Sequence, residues 1–298
     1  MSFSSPYFTL PRFMYIRPKS VSEALSLLEK HGEDARVMAG GVGVINMLKE
    51  RLMDPKIIID LKGIPELHHM SNGNGELKIG ATTTLNELLR NDVVKNSYPA
   101  LWEAISLLSD HNLRNRSTLV GDICEGMPWV DSPPPLIAYG AKLEIVGPRG
   151  RRITPVEGFI KGMAQVALAS NEIVTAVTVP APPSDSRGRY YKFSKGSEFG
   201  LVNLAMVASG YESGYPKEVR LVYGGISDTP IVADGVTEIF RNLPSSRRDS
   251  PSEIINSALK WVTGSVQPMD DNLASAEYRK NLVEVMTAQA LREALGRR

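Results

Sequence analysis

Ala39-Gly40-Gly41-Val42-Gly43 and, about eighty residues later, Thr118-Leu119-Val120-Gly121-Asp122-Ile123 are the two stretches that decide the fold. Both are glycine turns, called the first turn and the second turn below, and the first lies between a strand-like run and a helix-like run. A glycine backbone lacks Cβ, so it can approach a phosphate closely and aim successive N–H groups at it. Two such turns at this separation predict the two halves of one phosphate-binding clamp.

The residues around the first turn predict a small lobe with the order α-β-turn-α-β. Apolar residues from Val21 to Leu28 repeat at i, i+3, i+4 and i+7, the spacing of an amphipathic helix. Residues 35–38 then read as a short strand, and 44–51 as the helix that follows the turn. The run Lys56-Ile57-Ile58-Ile59-Asp60-Leu61 is typical of a buried strand of β-branched residues.

A second region continues to about residue 179. Its patterns predict a strand at 77–79, helices at 85–90 and around 101–108, and a strand at 172–179. Two further strands flank Gly147-Pro148-Arg149-Gly150 and predict a hairpin.

The clearest boundary in the chain is the segment 180–186, where three prolines in seven residues block helix and interior strand alike. Beyond it, strands at about 189–195, 201–209 and 217–225 precede helices near 232–240, 251–263 and 276–295. Strands followed by helices indicate the α+β class. We therefore expect lobes at 1–61 and 62–179 and a C-terminal domain at 187–298.

Composition argues against several kinds of partner. The 298 residues have a formal net charge of +1, from 34 basic and 33 acidic side chains, so no strong field attracts nucleic acid or an anionic membrane. No apolar run reaches the roughly 18 residues that a membrane span needs. The N-terminal residues lack the pattern of a signal peptide, so we expect a cytoplasmic protein.

The single cysteine, Cys124, excludes an intrachain disulfide and a thiolate-ligated iron–sulfur cluster on this chain. None of the four histidines has H-x-x-x-H or H-E-x-x-H spacing, so we expect no metal site. If the protein performs redox chemistry, an organic cofactor must carry it.

The first turn has a rival interpretation as the dinucleotide fingerprint G-x-G-x-x-G. Gly41 and Gly43 supply two of its glycines, but Asn46 stands at the third. No β-α-β run with an acidic residue some twenty positions further on completes the motif, so the nicotinamide interpretation is disfavoured.

The second turn belongs to a longer pattern, Arg114-Asn115-Arg116-Ser117-Thr118-Leu119-Val120-Gly121-Asp122-Ile123, followed by Pro128 and Asp131. This pattern resembles the flavoprotein (medium) subunit of the molybdenum hydroxylases, the xanthine dehydrogenase, carbon monoxide dehydrogenase and aldehyde oxidoreductase enzymes. That family reads roughly R-N-x-x-T-x-G-G-N/D-I before a proline and an aspartate. The first turn is similar to the family's A-G-G-x-x-L/V, and residues 219–226 resemble its C-terminal strand ending in G-G-V/I. The resemblance covers nearly the whole chain.

The resemblance implies a two-lobed FAD-binding domain of the vanillyl-alcohol-oxidase (PCMH) type, then a C-terminal domain of a three-stranded antiparallel sheet with three helices. Backbone N–H groups of both turns and the Thr118 hydroxyl would hold the pyrophosphate. Asp131 would hold sugar or ribityl hydroxyls, whereas Ala81 and Lys192 would lie near the cofactor. The residues so assigned are Val37, Met38, Ala39, Gly40, Gly41, Val42, Gly43, Val44, Ala81, Thr118, Leu119, Val120, Gly121, Asp122, Asp131 and Lys192.

Two positions depart from the family pattern. Val120 replaces the first glycine of the second turn, and a valine is a misfit there if that position requires positive φ, so the loop should differ. Val42 and Gly43 replace polar residues and remove a side-chain hydroxyl donor. Backbone donors survive both changes, so FAD binding is still expected.

By the same resemblance, the chain would be an electron-transfer subunit without a catalytic acid or base of its own. Its partners would be a large molybdopterin subunit and a small 2Fe-2S subunit, in a dimer of heterotrimers. Two alternatives stay open: a scaffold subunit that has lost flavin, motivated by Val120, and a free-standing flavin oxidase of the same superfamily.

Overall fold

The computed structural model describes residues 9–73, 75–194, 199–211, 214–243 and 250–296. The predicted domain ends at 1–8 and 297–298, and residue 195 at the end of a predicted strand, lie outside the described residues. Within these ranges, no helix combines the length and apolarity needed to cross a bilayer. Helices and strands are mixed throughout, and the expected α+β class is confirmed.

The N-terminal lobe is a three-stranded parallel sheet with one helix packed on each face. Its strands are β1 (Met14–Ile16), β2 (Ala35–Met38) and β3 (Ile57–Asp60), and they have the order β1-β3-β2, with β3 in the centre. Alternate residues of β3 point to opposite faces, so Ile59 packs with α1 residues such as Leu28, whereas Ile58 packs with Leu48 of α2. The elements are β1 Met14–Ile16, α1 Val21–His31, β2 Ala35–Met38, α2 Val42–Lys49 and β3 Ile57–Asp60.

The second lobe combines a five-stranded antiparallel sheet, in the order β4-β5-β10-β6-β7, with six short helices and a small hairpin, β8–β9, among the described residues. The elements are β4 Met70–Gly73, β5 Glu76–Gly80, α3 Leu85–Leu89, α4 Asp92–Ser97, α5 Pro99–Leu107, α6 His111–Arg114, α7 Leu119–Glu125, α8 Pro133–Ala138, β6 Lys142–Gly147, β7 Gly150–Pro155, β8 Ile160–Gly162, β9 Gln165–Val166 and β10 Ile173–Pro180.

The C-terminal sheet is buried on both faces. Along its central strand β12, Leu204 and Met206 pack against the C-terminal helices, whereas Ala205 and Val207 pack into the core of the FAD-domain lobes predicted above. This arrangement joins the C-terminal domain to the rest of the chain. The elements are β11 Arg187–Phe193, β12 Val202–Ser209, β13 Glu218–Gly224, β14 Ile231–Val232, α9 Asp234–Arg241, α10 Pro251–Ser265 and α11 Ala276–Ala294.

The structure adds short strands to those predicted. The three long antiparallel strands and three helices of the C-terminal domain are present, and the two-residue β14 extends the sheet to four strands. Periodicity also missed β1, β4, β8 and β9, since each spans at most four residues, too few for a pattern to emerge.

Candidate functional site

The first turn leaves the N-terminus of α2 open. Gly41 occupies the N-cap position with φ 91°, in the left-handed region, and offers no side chain to cap the helix. The helix begins at Val42, two residues earlier than predicted, because this glycine permits the sharp entry. The first N–H groups of a helix have no acceptor within it. At α2 they form an open donor set at the positive end of the helix dipole.

The second turn leads into α7, and Thr118 caps that helix. The N–H of Gly121 donates to the Thr118 hydroxyl oxygen at 3.0 Å, which leaves the hydroxyl proton free to be donated elsewhere. Val120 lies inside α7, and its side chain is buried in the core. Positive φ among the described non-glycine residues occurs at Arg51, Ser109 and Ala164, so Val120 carries no such strain. The helix accommodates the valine that a left-handed glycine position would not.

The first turn touches the residues that lead into the second turn. A Cβ built on Gly40 would lie 2.0 Å from the carbonyl oxygen of Arg116, so only glycine permits this approach. A third segment, residues 81–85, reaches the start of the second turn, because the N–H of Leu85 donates to the Ser117 carbonyl at 2.9 Å. That segment begins at Ala81, whose N–H donates to the Thr175 carbonyl at 3.0 Å and whose side chain is buried. The two turns and Leu85 therefore come together, whereas Ala81 itself is bonded to β10.

Lys62 holds the first turn in place, a role that the sequence did not predict. Its ammonium donates to the Ala39 carbonyl at 2.8 Å and pairs with the Asp60 carboxylate at 2.6 Å. Asp60 is fully buried and also accepts from the Tyr15 hydroxyl. Burial alone would raise the pKa of Asp60, but the hydrogen bonds from Lys62 and Tyr15 lower it. In the sequence, Asp60 could have drawn attention to this role, because it is an acidic residue at the end of an otherwise apolar buried strand.

Asp131 and Lys192, both predicted site residues, form a buried ion pair that joins the second lobe to the C-terminal domain. Their charged atoms lie 2.7 Å apart, with side chains 4% and 6% exposed. The Tyr190 hydroxyl donates to the other Asp131 oxygen at 2.6 Å. Burial raises the pKa of Tyr190 well above its ordinary value, and the neighbouring Asp131 charge adds to that effect. The pair thus holds Asp131 in one fixed orientation.

Two further carboxylates lie on α7. Asp122 accepts from both the N–H and the hydroxyl of Ser132, which connects α7 to the start of α8. Burial raises the pKa of Asp122 to about 7, and the charges of Glu125 and Asp131 contribute. Glu125 lies against the first turn, since a Cβ built on Gly43 would be 3.1 Å from its carboxylate carbon. The clamp therefore has backbone N–H donors in the first turn and the carboxylate of Glu125 beside them.

Other candidates do not contribute chemistry to this site. Burial raises the pKa of Cys124 to about 12, so it is a packing thiol rather than a redox one. The part of the chain that the structure describes holds no group of three or more His, Cys, Asp or Glu side chains suited to a metal ion. An open groove of about 440 Å³ lies elsewhere, between α1 and the five-stranded sheet.

Comparison with known proteins gives matches along almost the whole chain. Residues 11–182 match the FAD binding domain in molybdopterin dehydrogenase, and residues 189–294 match the CO dehydrogenase flavoprotein C-terminal domain. The carbon monoxide dehydrogenase medium chain of Hydrogenophaga pseudoflava is 32% identical over 289 residues, covering 96% of this chain and 98% of that one. The xanthine dehydrogenase FAD-binding subunit of Escherichia coli O157:H7 is 29% identical, covering 94% and 95%.

Comparison with solved structures also gives a match over nearly the whole chain. A structure of carbon monoxide dehydrogenase from Hydrogenophaga pseudoflava that lacks the Mo-pyranopterin moiety of its cofactor superposes with a TM-score of 0.89 at 31% identity. The match covers 97% of this chain and 99% of that one. Similarity therefore extends over both lobes and the C-terminal domain.

Proposed function

Because this chain belongs to the family of FAD-binding medium subunits of the molybdenum hydroxylases, we propose that it is the electron-transfer subunit of such a complex. It takes electrons from 2Fe-2S clusters of a small partner subunit and passes them to an external acceptor. The family predicted from the two turns is confirmed, and the chain is an oxidoreductase subunit with an FAD-binding domain. The observation that carries the proposal is the uncapped N-terminus of α2 held against the second turn.

The donor set suits a diphosphate. N–H groups at the start of α2 point out of the helix end, and those of the second turn lie beside them because Gly40 contacts Arg116. Hydrogen bonds to a charged acceptor are the strong ones, and here they need no side chain. In our proposal, residues 37–44 and 118–122 line the pyrophosphate. Within 118–122, the N–H groups of Gly121 and Asp122 already donate to Thr118. The N–H groups of Leu119 and Val120 and the free proton of the Thr118 hydroxyl therefore donate to the pyrophosphate.

The remaining assigned residues would position the rest of the cofactor. Ala81 supplies a small side chain at the third segment, so that the cofactor can pass close to the backbone. Asp131 already accepts from Tyr190 and Lys192, and a carboxylate has about four acceptor sites, so it can still accept from a sugar or ribityl hydroxyl. Burial raises the pKa of Asp131, and Lys192 would oppose that rise and orient the carboxylate for the contact.

Bound FAD would supply the redox chemistry, because flavin accepts electrons singly from iron–sulfur and passes them on in pairs. The chain's own residues bind it, orient it and set its electrostatic surroundings. Lys62 holds the first turn in place, and Asp122 fixes α7 to α8 through Ser132. No side chain of this chain is assigned as a general acid or base.

We further propose the assembly in which this subunit works. Its partners are a large molybdopterin subunit, where substrate is oxidised, and a small 2Fe-2S subunit, in a dimer of heterotrimers in the cytoplasm. Within the chain, 1–61 and 62–179 form the two FAD-binding lobes, and 187–298 form the C-terminal domain.

Cofactor binding is tested by titrating FAD into the purified apo-chain and following flavin fluorescence. We expect saturable binding that is much weaker for riboflavin, which lacks the diphosphate. Equal affinity for FAD and riboflavin would contradict the proposal that the two turns bind the diphosphate. A chain that binds neither would be the flavin-free scaffold subunit.

Assembly is tested by co-purification with metal analysis. We expect molybdenum and iron to accompany the chain in partner subunits, and we expect the isolated chain to lack substrate-dependent flavin reduction. A stable monomer that reduces its own flavin with a substrate would instead be a free-standing oxidase.

A further inference from the structure

Glu125, the last residue of α7, lies beside the first helical turn of α2. A Cβ built on Gly43 would lie 3.1 Å from both the carboxylate carbon and one oxygen of Glu125, and 3.3 Å from the other oxygen. The carboxylate therefore lies beside the second residue of α2. An anion at this end of a helix is attracted by the same N–H groups and dipole that would bind a phosphate.

The elements packed most closely against α7 place no basic side chain beside this carboxylate. The described elements that pack most closely against α7 are α2, β9 and β10. The two strands carry no ionisable side chain, and the charged residue of α2, Lys49, lies at the opposite end, about 9 Å along the axis. On α7 itself the neighbouring charged group is Asp122, another carboxylate. Glu125 and an incoming diphosphate would thus place like charges beside one helix end.

We propose that Glu125 is an internal competitor for the diphosphate site, which sets the affinity of this chain for FAD and makes it fall as pH rises. This inference rests on the FAD clamp proposed above. For the diphosphate to bind, the Glu125 carboxylate must take up a proton or rotate away from Gly43, and either requirement weakens binding.

The Glu125 carboxylate takes up a proton more readily than an ordinary glutamate, because burial raises its pKa. Lowering the pH therefore removes the competing charge before the phosphates of FAD become neutral. Where Glu125 is ionised in the free chain, binding should be accompanied by proton uptake, which a purely structural glutamate would not produce.

The test compares FAD affinity, by fluorescence titration at low salt, in the wild-type chain, Glu125→Gln, Glu125→Ala and Glu50→Gln. The last variant removes the same charge from the exposed C-terminal end of α2 and is the matched control. At about pH 8 we expect both Glu125 variants to bind FAD about fivefold or more tightly than wild type, and Glu50→Gln to match wild type. Wild-type affinity should rise as the pH is lowered, whereas the Glu125 variants should show a flatter profile.

The outcomes separate the two proposals. FAD binding with the same affinity and pH profile in all four proteins overturns the role of Glu125 and leaves the clamp intact. Binding by the Glu125 variants but not by wild type supports that role in its strongest form. Failure of all four to bind FAD overturns both proposals, and unchanged thermal unfolding midpoints establish that the variants are folded. Calorimetry in buffers of different ionisation enthalpy measures the proton uptake directly.

Discussion

The backbone of Gly40 lies directly against the carbonyl oxygen of Arg116, at a separation that leaves no room for a Cβ. This contact connects the first turn, in the N-terminal lobe, to the residues that lead into the second turn, in the second lobe. It explains why the first turn needs glycine at a position where φ is not positive. The requirement comes from close approach rather than from backbone conformation.

Gly40→Ala should therefore separate the turns. The added methyl group meets backbone rather than a flexible side chain, so one turn must shift. We expect the free energy of unfolding to fall by about 1–3 kcal/mol, the range for overpacked sites. FAD affinity should fall about tenfold or more, because the donors of the two turns would no longer converge. Chemical denaturation and FAD titration measure the two effects.

A matched control for this change is Gly264→Ala, since Gly264 lies in α10 with no atom within 4 Å of a built Cβ. Alanine favours helix by up to about 1 kcal/mol over glycine, so this variant should be slightly more stable and bind FAD normally. If Gly40→Ala behaves in the same way as Gly264→Ala, the contact between the turns is not required.

Lys62→Met tests the support of the first turn. The change removes the bond to the Ala39 carbonyl and leaves the buried Asp60 without its closest cation. We expect a loss of about 1–3 kcal/mol in stability and weaker FAD binding. Lys56→Met is the control, because Lys56 pairs with Asp34 on the surface of the same lobe, with side chains 75% and 53% exposed. It should cost less than about 1 kcal/mol.

Asp131 and Lys192 lend themselves to a double-mutant cycle. Removing either partner leaves a buried charge uncompensated, so Asp131→Asn and Lys192→Met should each destabilise the chain by about 3–5 kcal/mol. The double variant should lose clearly less than the sum, which gives the coupling energy. The same cycle on Glu218 and Arg241, whose side chains are 43% and 60% exposed, should give under about 1 kcal/mol. Strict additivity at the buried pair would contradict the proposed interdomain link.

The sequence predicted the long elements and the glycine turns because their signals are local. Strand β3 is an uninterrupted β-branched run, and α1 follows helical spacing over eleven residues. Lys62 and Glu125 could not be assigned in this way, because each acts on a turn that is distant in the chain or on a different helix. Their roles appear only when α7 packs on α2 and when β3 pairs with β2. Long-range packing thus decides the electrostatics of the site, whereas local pattern decides its backbone.

Asp122 makes the stability of this region depend on pH. Its pKa in the folded chain is about 7, above the ordinary value of 3.8, so the folded state holds the proton more tightly than the unfolded chain does. The stabilisation from protonation is complete below about pH 4 and is lost as pH rises through about 7. Above that, the ionised carboxylate costs up to about 4 kcal/mol relative to an unperturbed group.

Asp122→Asn keeps an acceptor for Ser132 but removes the ionisation. We expect the variant to be more stable than wild type at about pH 8 and to show a weaker decline in stability between about pH 5 and 8. Urea unfolding at several pH values measures both. Glu284→Gln, an exposed change on α11, controls for net charge and should follow the wild-type profile. A wild-type profile that rises from pH 5 to 8 would show that Asp122 is ionised without cost, because its two bonds from Ser132 would then outweigh its burial.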